Sequence, residues 1–331
     1  MSRRLWPPSE SLVWLVLFAL LCAAGMLLFY GMASGGGYAG ITALLIFPAL
    51  FGALVSHAQS PDGQNPWMGC FVWPLVAVAG LAAFGWYFMA EGGICLLMVL
   101  PIWVVGAVGG ATMQLLNRRR YRALEQRGTE LKSAAWVSAL VLAATLDLTT
   151  VPSWSTETVV RNVLIEASPE QIWPVVLSIP AIGENEGSSN FAQDVAGIPR
   201  PTAALLTLEG GQLVRKAAWG PKVRFDERIT NLHPAKLLAW QFVFPDRSVQ
   251  EQTDHHISPD GEVLKIVSGR YELRRLGRDK TLLKLSTEYR MRSTLGPYLR
   301  LWGDKLLGDI QINVLAIVKS RAELKTSLPP A

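Results

Sequence analysis

Before residue 117 the chain offers almost no polar material from which to build a water-soluble fold. Four uncharged runs, at about 11–32, 38–55, 68–90 and 94–116, are separated by a glycine-rich turn, by a polar loop from His57 to Pro66, and by Glu91 with two glycines. Runs of this length suit helices that cross a hydrocarbon core. Pro48 inside the second run is tolerable there, because neighbouring groups can satisfy the backbone it disturbs. A weaker fifth run, 134–151, carries Asp147 near its end, where a charge reaches headgroups and water at less cost than at the midplane. Residues 1–152 are therefore expected to form five transmembrane helices. The first run is too long for a cleaved signal peptide, and Leu21 before Cys22 denies a lipoprotein site its small residue, so a retained signal anchor is expected. Trp67, Trp86 and Tyr87 near run ends fit interfacial anchoring or buried packing.

Charge gives the expected orientation. Arg3 and Arg4 precede the first run, and Asn117–Arg122 with Arg127 and Lys132 follow the fourth, in what reads as a short basic loop. Basic loops of this kind stay on the cytoplasmic side, and four crossings between the two basic sites satisfy both. With the fifth crossing, the remainder of the chain falls outside the cytoplasm. If that segment only lies on the surface, the remainder is cytoplasmic. The net charge of +5 is dispersed with mixed signs after residue 152, with no arginine strip interleaved with aromatics, which argues against nucleic acid as a partner. All three cysteines, Cys22, Cys70 and Cys95, lie in the apolar runs, so the second half contains neither a disulfide nor a cysteine-based metal site.

From Thr158 the pattern changes to alternation. Val159, Arg161, Val163 and Ile165 share one strand face, and Ser168-Pro169-Glu170 opens a helix with a capping serine, a first-turn proline and a first-turn acid. That helix ends by Pro180, and Gly183–Ser189 is a loop. Strands are predicted over Thr202–Leu208, Gln212–Trp219, Val223–Thr230, Leu237–Phe244, Glu262–Arg275 and Thr281–Arg292, with Gln250–Ile257 as a strand or loop. A final helix is predicted over Pro297–Leu324. Its apolar line is Leu299, Trp302, Leu306, Ile310, Asn313 and Ile317. The domain is bounded at 153–325, and 326–331 reads as a flexible tail.

Four stretches in this order carry a family likeness: VLIEASPEQIW (Val163–Trp173), FDERITNLHPAKLLAW (Phe225–Trp240), GRYELRRLGRDKTLLKL (Gly269–Leu285) and AIVKSRAE (Ala316–Glu323). Together they resemble the START/Bet v 1-like (SRPBCC) superfamily, in its polyketide cyclase/dehydrase-like branch, over roughly the last half of the chain. The resemblance implies an α+β helix-grip fold, a curved antiparallel sheet of seven strands around a long C-terminal helix, with a cavity for a hydrophobic ligand. It also implies a bacterial source, and hence an inner membrane. The N-terminal half is outside the superfamily pattern.

Strand parity then nominates a ligand site. Glu227 falls on the apolar face with Val223, Phe225 and Ile229, and Arg215 shares a face with Leu213, Ala217 and Trp219, so the two can pair. Trp240, Phe242 and Phe244 share a face, as do Tyr271 with Leu273 and Leu285 with Tyr289 and Met291. Opposite Trp302 these would line an aromatic pocket. The candidate ligand-binding residues are Arg215, Trp219, Glu227, Trp240, Phe242, Tyr271, Tyr289 and Trp302. A structural ion pair and ordinary core packing are the competing readings of the same residues. His255 and His256 are adjacent, so a strand would point them to opposite faces, and His233 sits in a turn. No metal and no cofactor are expected. Gly-x-Ser-x-Gly, phosphate-loop and His-Glu-x-x-His patterns are missing from the sequence, which sets aside those enzyme classes. The expected function is binding of a hydrophobic small molecule or lipid by a membrane-tethered domain. A cyclase- or dehydratase-like enzyme using Glu227 or a histidine is one alternative, and a membrane sensor or scaffold with an unknown protein partner is another.

Overall fold

The computed structural model describes residues 42–59, 65–88, 93–124, 152–253 and 257–327. The chain divides into two compact units, the second containing Ser153–Ala331. The predicted segments 11–32 and 134–151 lie outside the described residues, as do residues 328–331 of the expected tail and Asp254–His256.

In the first unit, a π-helical turn at Thr42–Ile46 leads into α1 (Phe47–Gln59), a second π-helical turn at Met68–Val72 leads into α2 (Trp73–Phe88), and α3 spans Gly93–Leu124. Two stretches, Met68–Tyr87 and Gly93–Asn117, are long and apolar enough to cross a membrane, and Leu44–Gln59 is apolar but shorter. The predicted loop at Asn117–Arg122 is corrected: the backbone stays helical to Leu124. Arginine is a good helix former, and nothing there breaks the helix. Small residues bring α1 and α3 close. A methyl group on Gly52 would overlap the Ala107 backbone, and one on Gly110 would overlap that of Ala49. This is how helices pack where burial of apolar surface gives little drive to associate. Trp67, Trp86 and Tyr87 are largely exposed on this unit rather than buried in it.

The second unit is built on a seven-stranded antiparallel sheet in the order β1-β7-β6-β5-β4-β3-β2. The strands are β1 (Trp154–Ile165), β2 (Pro201–Glu209), β3 (Gln212–Trp219), β4 (Val223–His233), β5 (Leu237–Val243), β6 (Leu264–Gly277) and β7 (Lys280–Arg292). Register shifts in the β4–β5 and β6–β7 pairs mark bulges that bend the strands. Gly210 and Gly211, both at positive φ, make the tight β2–β3 turn. Helix α4 (Pro169–Leu177) opens as expected and gains a reciprocal cap: Ser168 Oγ accepts from the Gln171 N–H, and Gln171 Oε1 accepts from the Ser168 N–H at 2.8 Å. The unforeseen short helix α5 (Phe191–Asp194) follows. The strand considered for Gln250–Ile257 is corrected as well. Ser248–Thr253 is a helix, α6, docked on β4 through Ser248 Oγ and the backbone of Arg224.

Helix α7 (Gly296–Ser327) closes the fold and completes the helix-grip arrangement. It runs along β1, tied by Arg161 to Asp304 (2.9 and 3.0 Å) and by Arg300 to Glu157 (2.9 Å). Gly303 and Gly308 admit the Tyr289 phenol and the Arg161 guanidinium against the helix backbone, where any Cβ would overlap them. The predicted apolar line mixes two faces. Leu307, Gln311, Leu315, Val318 and Ala322 face the sheet core, whereas Asp309, Asn313 and Arg321 hold the segment between α4 and β2, and Ile317 belongs to the core while touching that segment at Gly187. Ala192 N–H donates to Asp309, Ser188 N–H donates to Asn313, and Arg321 pairs with Glu186 while donating to the carbonyls of Pro180 and Ala181. A helix covered on two sides buries polar residues that a single hydrophobic stripe does not reveal.

Candidate functional site

The concave face of the sheet carries the nominated residues. Arg215 of β3 and Glu227 of β4 are directly opposed in register, and the guanidinium Nε donates to the Glu227 carboxylate. They are 3% and 6% exposed, so both charges are out of water. Arg215 Nη1 donates to the carbonyl of Val176 in α4 at 2.7 Å, and the guanidinium also shares a hydrogen bond with Tyr271. Its Cζ lies 4.7 Å from the Trp240 ring centroid and 5.4 Å from that of Tyr271. Burial draws this guanidinium down, but Glu227 and Tyr271 more than reverse that and hold it above the usual arginine value. Burial pushes the Tyr271 phenol up, partly offset by Arg215. The cation is therefore fully engaged with protein groups. A buried pair of this kind contributes little net stability, yet losing one partner costs about 3–5 kcal/mol.

Aromatic rings extend from this pair along the face. Trp240 packs on Tyr271 at 5.3 Å and edge-on to Phe242 at 6.0 Å. Phe242 stacks with Phe244 at 6.3 Å and meets Phe225 at 5.9 Å, and Phe225 meets Trp219 at 5.6 Å. Five nominated residues, Arg215, Glu227, Trp240, Phe242 and Tyr271, thus come together, and Trp219 joins them through Phe225. Tyr289 and Trp302 lie elsewhere. Tyr289 is buried with Val159 and Met291 against Leu299 and Leu307 of α7, where burial pushes its phenol up to about 12. Trp302 packs on Phe191 at 6.2 Å and Tyr298 at 6.4 Å.

The two ends of the concave face differ in cover. Around Leu238, Trp240, Tyr271 and Leu283, α7 supplies Leu315, Ile317, Val318 and Ala322. Around Ala217, Val223 and Phe225, the packed hydrophobic neighbours among the described residues are Trp219, Phe242, Phe244 and Val249 of α6, and none of these comes from α7. Trp219, Phe242 and Phe244 remain only half-buried there. Parity had placed Phe225 and Phe244 on this face without selecting them. Val249 carried no signal, because its segment looked like a strand or loop. Among the described residues no three His, Cys, Asp or Glu side chains gather as a metal site.

No family model matches the chain, and no curated protein matches it. Among solved structures it is similar to the Zhui aromatase/cyclase from Streptomyces sp. R1128, at 16% identity and a TM-score of 0.34, over 52% of this chain and 96% of that one. It is also similar to truncated norcoclaurine synthase from Thalictrum flavum, at 14% identity and a TM-score of 0.34, over 54% of this chain and 98% of that one. These likenesses concern the fold alone. Residues 153–327 themselves show a seven-stranded antiparallel sheet closed by a long C-terminal helix, the helix-grip arrangement.

Proposed function

We propose that the helix-grip unit binds a hydrophobic, lipid-like molecule in the trough between the β3–β5 aromatics and the open side of α7. The observation that carries this reading is the uncovered aromatic row. Rings of Trp219, Phe242 and Phe244 stay half-buried on a face whose other end is sealed by α7. Half-covered aromatic surface gains free energy from an apolar occupant, at roughly 25 cal/mol per Å² removed from water. The Arg215–Glu227 pair forms the floor, and its closed hydrogen bonding makes it a fixed wall for the ligand. Native mass spectrometry of the full-length chain in lipid nanodiscs tests this. A discrete bound mass lost in Phe242→Ala and Phe244→Ala supports the trough. A chain that stays empty when membrane lipids and apolar dyes are offered removes it.

The N-terminal unit serves as the tether in this reading, crossing an inner membrane five times with the N-terminus inside and the binding unit outside. The two apolar helices Met68–Tyr87 and Gly93–Asn117 support a membrane role, and a tether raises the local concentration of the domain near membrane-borne ligands. A reporter that fluoresces only in the cytoplasm, fused after Ala331, is expected to be dark. A bright fusion places the domain inside and removes the fifth crossing.

A further inference from the structure

Besides the Tyr289 hydroxyl seated at Gly303, two buried side-chain atoms on the concave face have no hydrogen-bonding partner among the described residues: Trp240 Nε1, a donor, and Gln311 Oε1, an acceptor. Their residues are 3% and 2% exposed. Sheet register brings them to one row. Trp240 of β5 pairs with Gly269 of β6, Gly269 pairs with Thr287 of β7, and Thr287 pairs with Val159 of β1. Gln311 of α7 reaches the far end of that row, donating through Nε2 to Thr287 Oγ1 at 2.9 Å and to the Val159 carbonyl at 3.1 Å. A backbone carbonyl can only accept, so the amide orientation is pinned and Oε1 is the atom left over. At the near end the indole lies across Gly269. A Cβ there would overlap Cζ2 and stand 2.8 Å from Nε1. The ring edge bearing the N–H is thus laid over β6, on the Thr287 side of its own strand.

An orphaned donor or acceptor in a protein interior costs on the order of 1–3 kcal/mol, and native structures leave few of them. Here the two are of opposite type and share one row. A group that completes both must accept from an N–H and donate to a carbonyl. A hydroxyl does this. A carboxylate, ketone or ether has no proton to give, and an ammonium has no lone pair to offer. We propose that the Trp240–Gly269–Thr287 row under Gln311 is a hydroxyl-recognising subsite, and that the trough's ligand is an apolar molecule bearing an alcohol or phenol. The inference rests on the trough reading. It also fits the neighbouring cation, because Arg215 is already engaged by Glu227, Val176 and Tyr271 and gives no open anchor for an anionic head.

The same hydroxyl chemistry is available from a ligand or from an ordered water, and matched probes separate the two. Full-length protein in nanodiscs is titrated with 2-naphthol and with 2-methoxynaphthalene, which keeps the acceptor oxygen but lacks the proton, using empty nanodiscs as the partition control. Wild type is expected to bind the naphthol about tenfold more tightly, the size of one buried hydrogen bond. Trp240→Phe keeps an aromatic ring without the N–H, and Gln311→Met keeps the side-chain length without the acceptor. Gln311→Met is expected to bring the two probes to within about twofold by weakening naphthol alone, whereas Trp240→Phe removes the donor to the oxygen that both probes carry and is expected to weaken both alike. A melting curve for each variant confirms that it is folded, and the different signatures expected of the two substitutions separate lost hydrogen bonds from a local packing defect. If wild type binds both probes equally, water completes the row and the subsite is overturned while the trough stands. If neither probe binds, the trough reading fails and the subsite falls with it.

Discussion

The concave face of one sheet is finished in two different ways. At the β5–β7 end, Leu238 and Leu283 are wholly buried under Leu315 and Val318 of α7, as in an ordinary core. At the β3–β5 end the rings are larger and less covered, and a six-residue helix stands where the long one does not reach. Between them lies the Arg215–Glu227 pair, the most expensive object on the face to desolvate. The contrast separates residues that hold the fold from residues that present a surface, although both sets are apolar and share a parity.

The largest effect should come from the boundary. Arg215→Met leaves Glu227 buried without its cation and is expected to lower stability by about 3–5 kcal/mol, whereas adding Glu227→Leu should restore most of that loss. Denaturant unfolding of the single and double variants measures it, and equal destabilisation by both would erase the boundary. Leu283→Ala at the closed end should cost about 2–5 kcal/mol. Phe244→Ala at the open end should cost clearly less and instead weaken probe binding. Similar unfolding midpoints for those two variants would mean that the ends do not differ.

Smaller effects are expected from titration. The Tyr289 phenol is pushed up to about 12, so the unfolded chain ionises first as the pH rises. The stability this group contributes is complete below pH ~10, the usual tyrosine value, and is lost as the pH climbs through about 12. Tyr289→Phe should therefore blunt the alkaline fall of the melting temperature. Smallest is the strap across α7. The hydrogen bonds from Arg321 hold the Glu186 carboxyl below its ordinary range. Its contribution is present above the ordinary glutamate value and fades as the pH drops through the lowered one. Hydrogen exchange in the 180–189 segment should rise in acid for wild type and show no such rise in Glu186→Gln.

Alternation and turn chemistry were enough to find the seven strands, the cap at Ser168 and the closing helix, because those signals are local. Parity also put Arg215 opposite Glu227, since a two-residue period on neighbouring strands leaves little choice once the β3–β4 turn is placed. It could not separate Tyr289 from Trp240. Both point inward, and what divides them is which part of α7 lies above each. Helix α6 escaped because Ser248–Thr253 is short and polar, with no apolar period to read. Gln311 escaped because it is a polar residue on the sheet-facing side of α7, bonded to β1 and β7, where a reading by apolar period passes over it.

The two glycines of α7 have a mechanical meaning. With the Tyr289 phenol seated at Gly303 and the Arg161 guanidinium at Gly308, the helix is keyed to the sheet at two points just over one turn apart. A rod keyed in this way can neither slide by a residue nor roll without driving a side chain into a backbone. The short helix α6 has no such key: none of its residues is fully buried, and Ser248 and Val249 dock it on β4 and its neighbours. The long helix is locked to the sheet, and the short one rests on it.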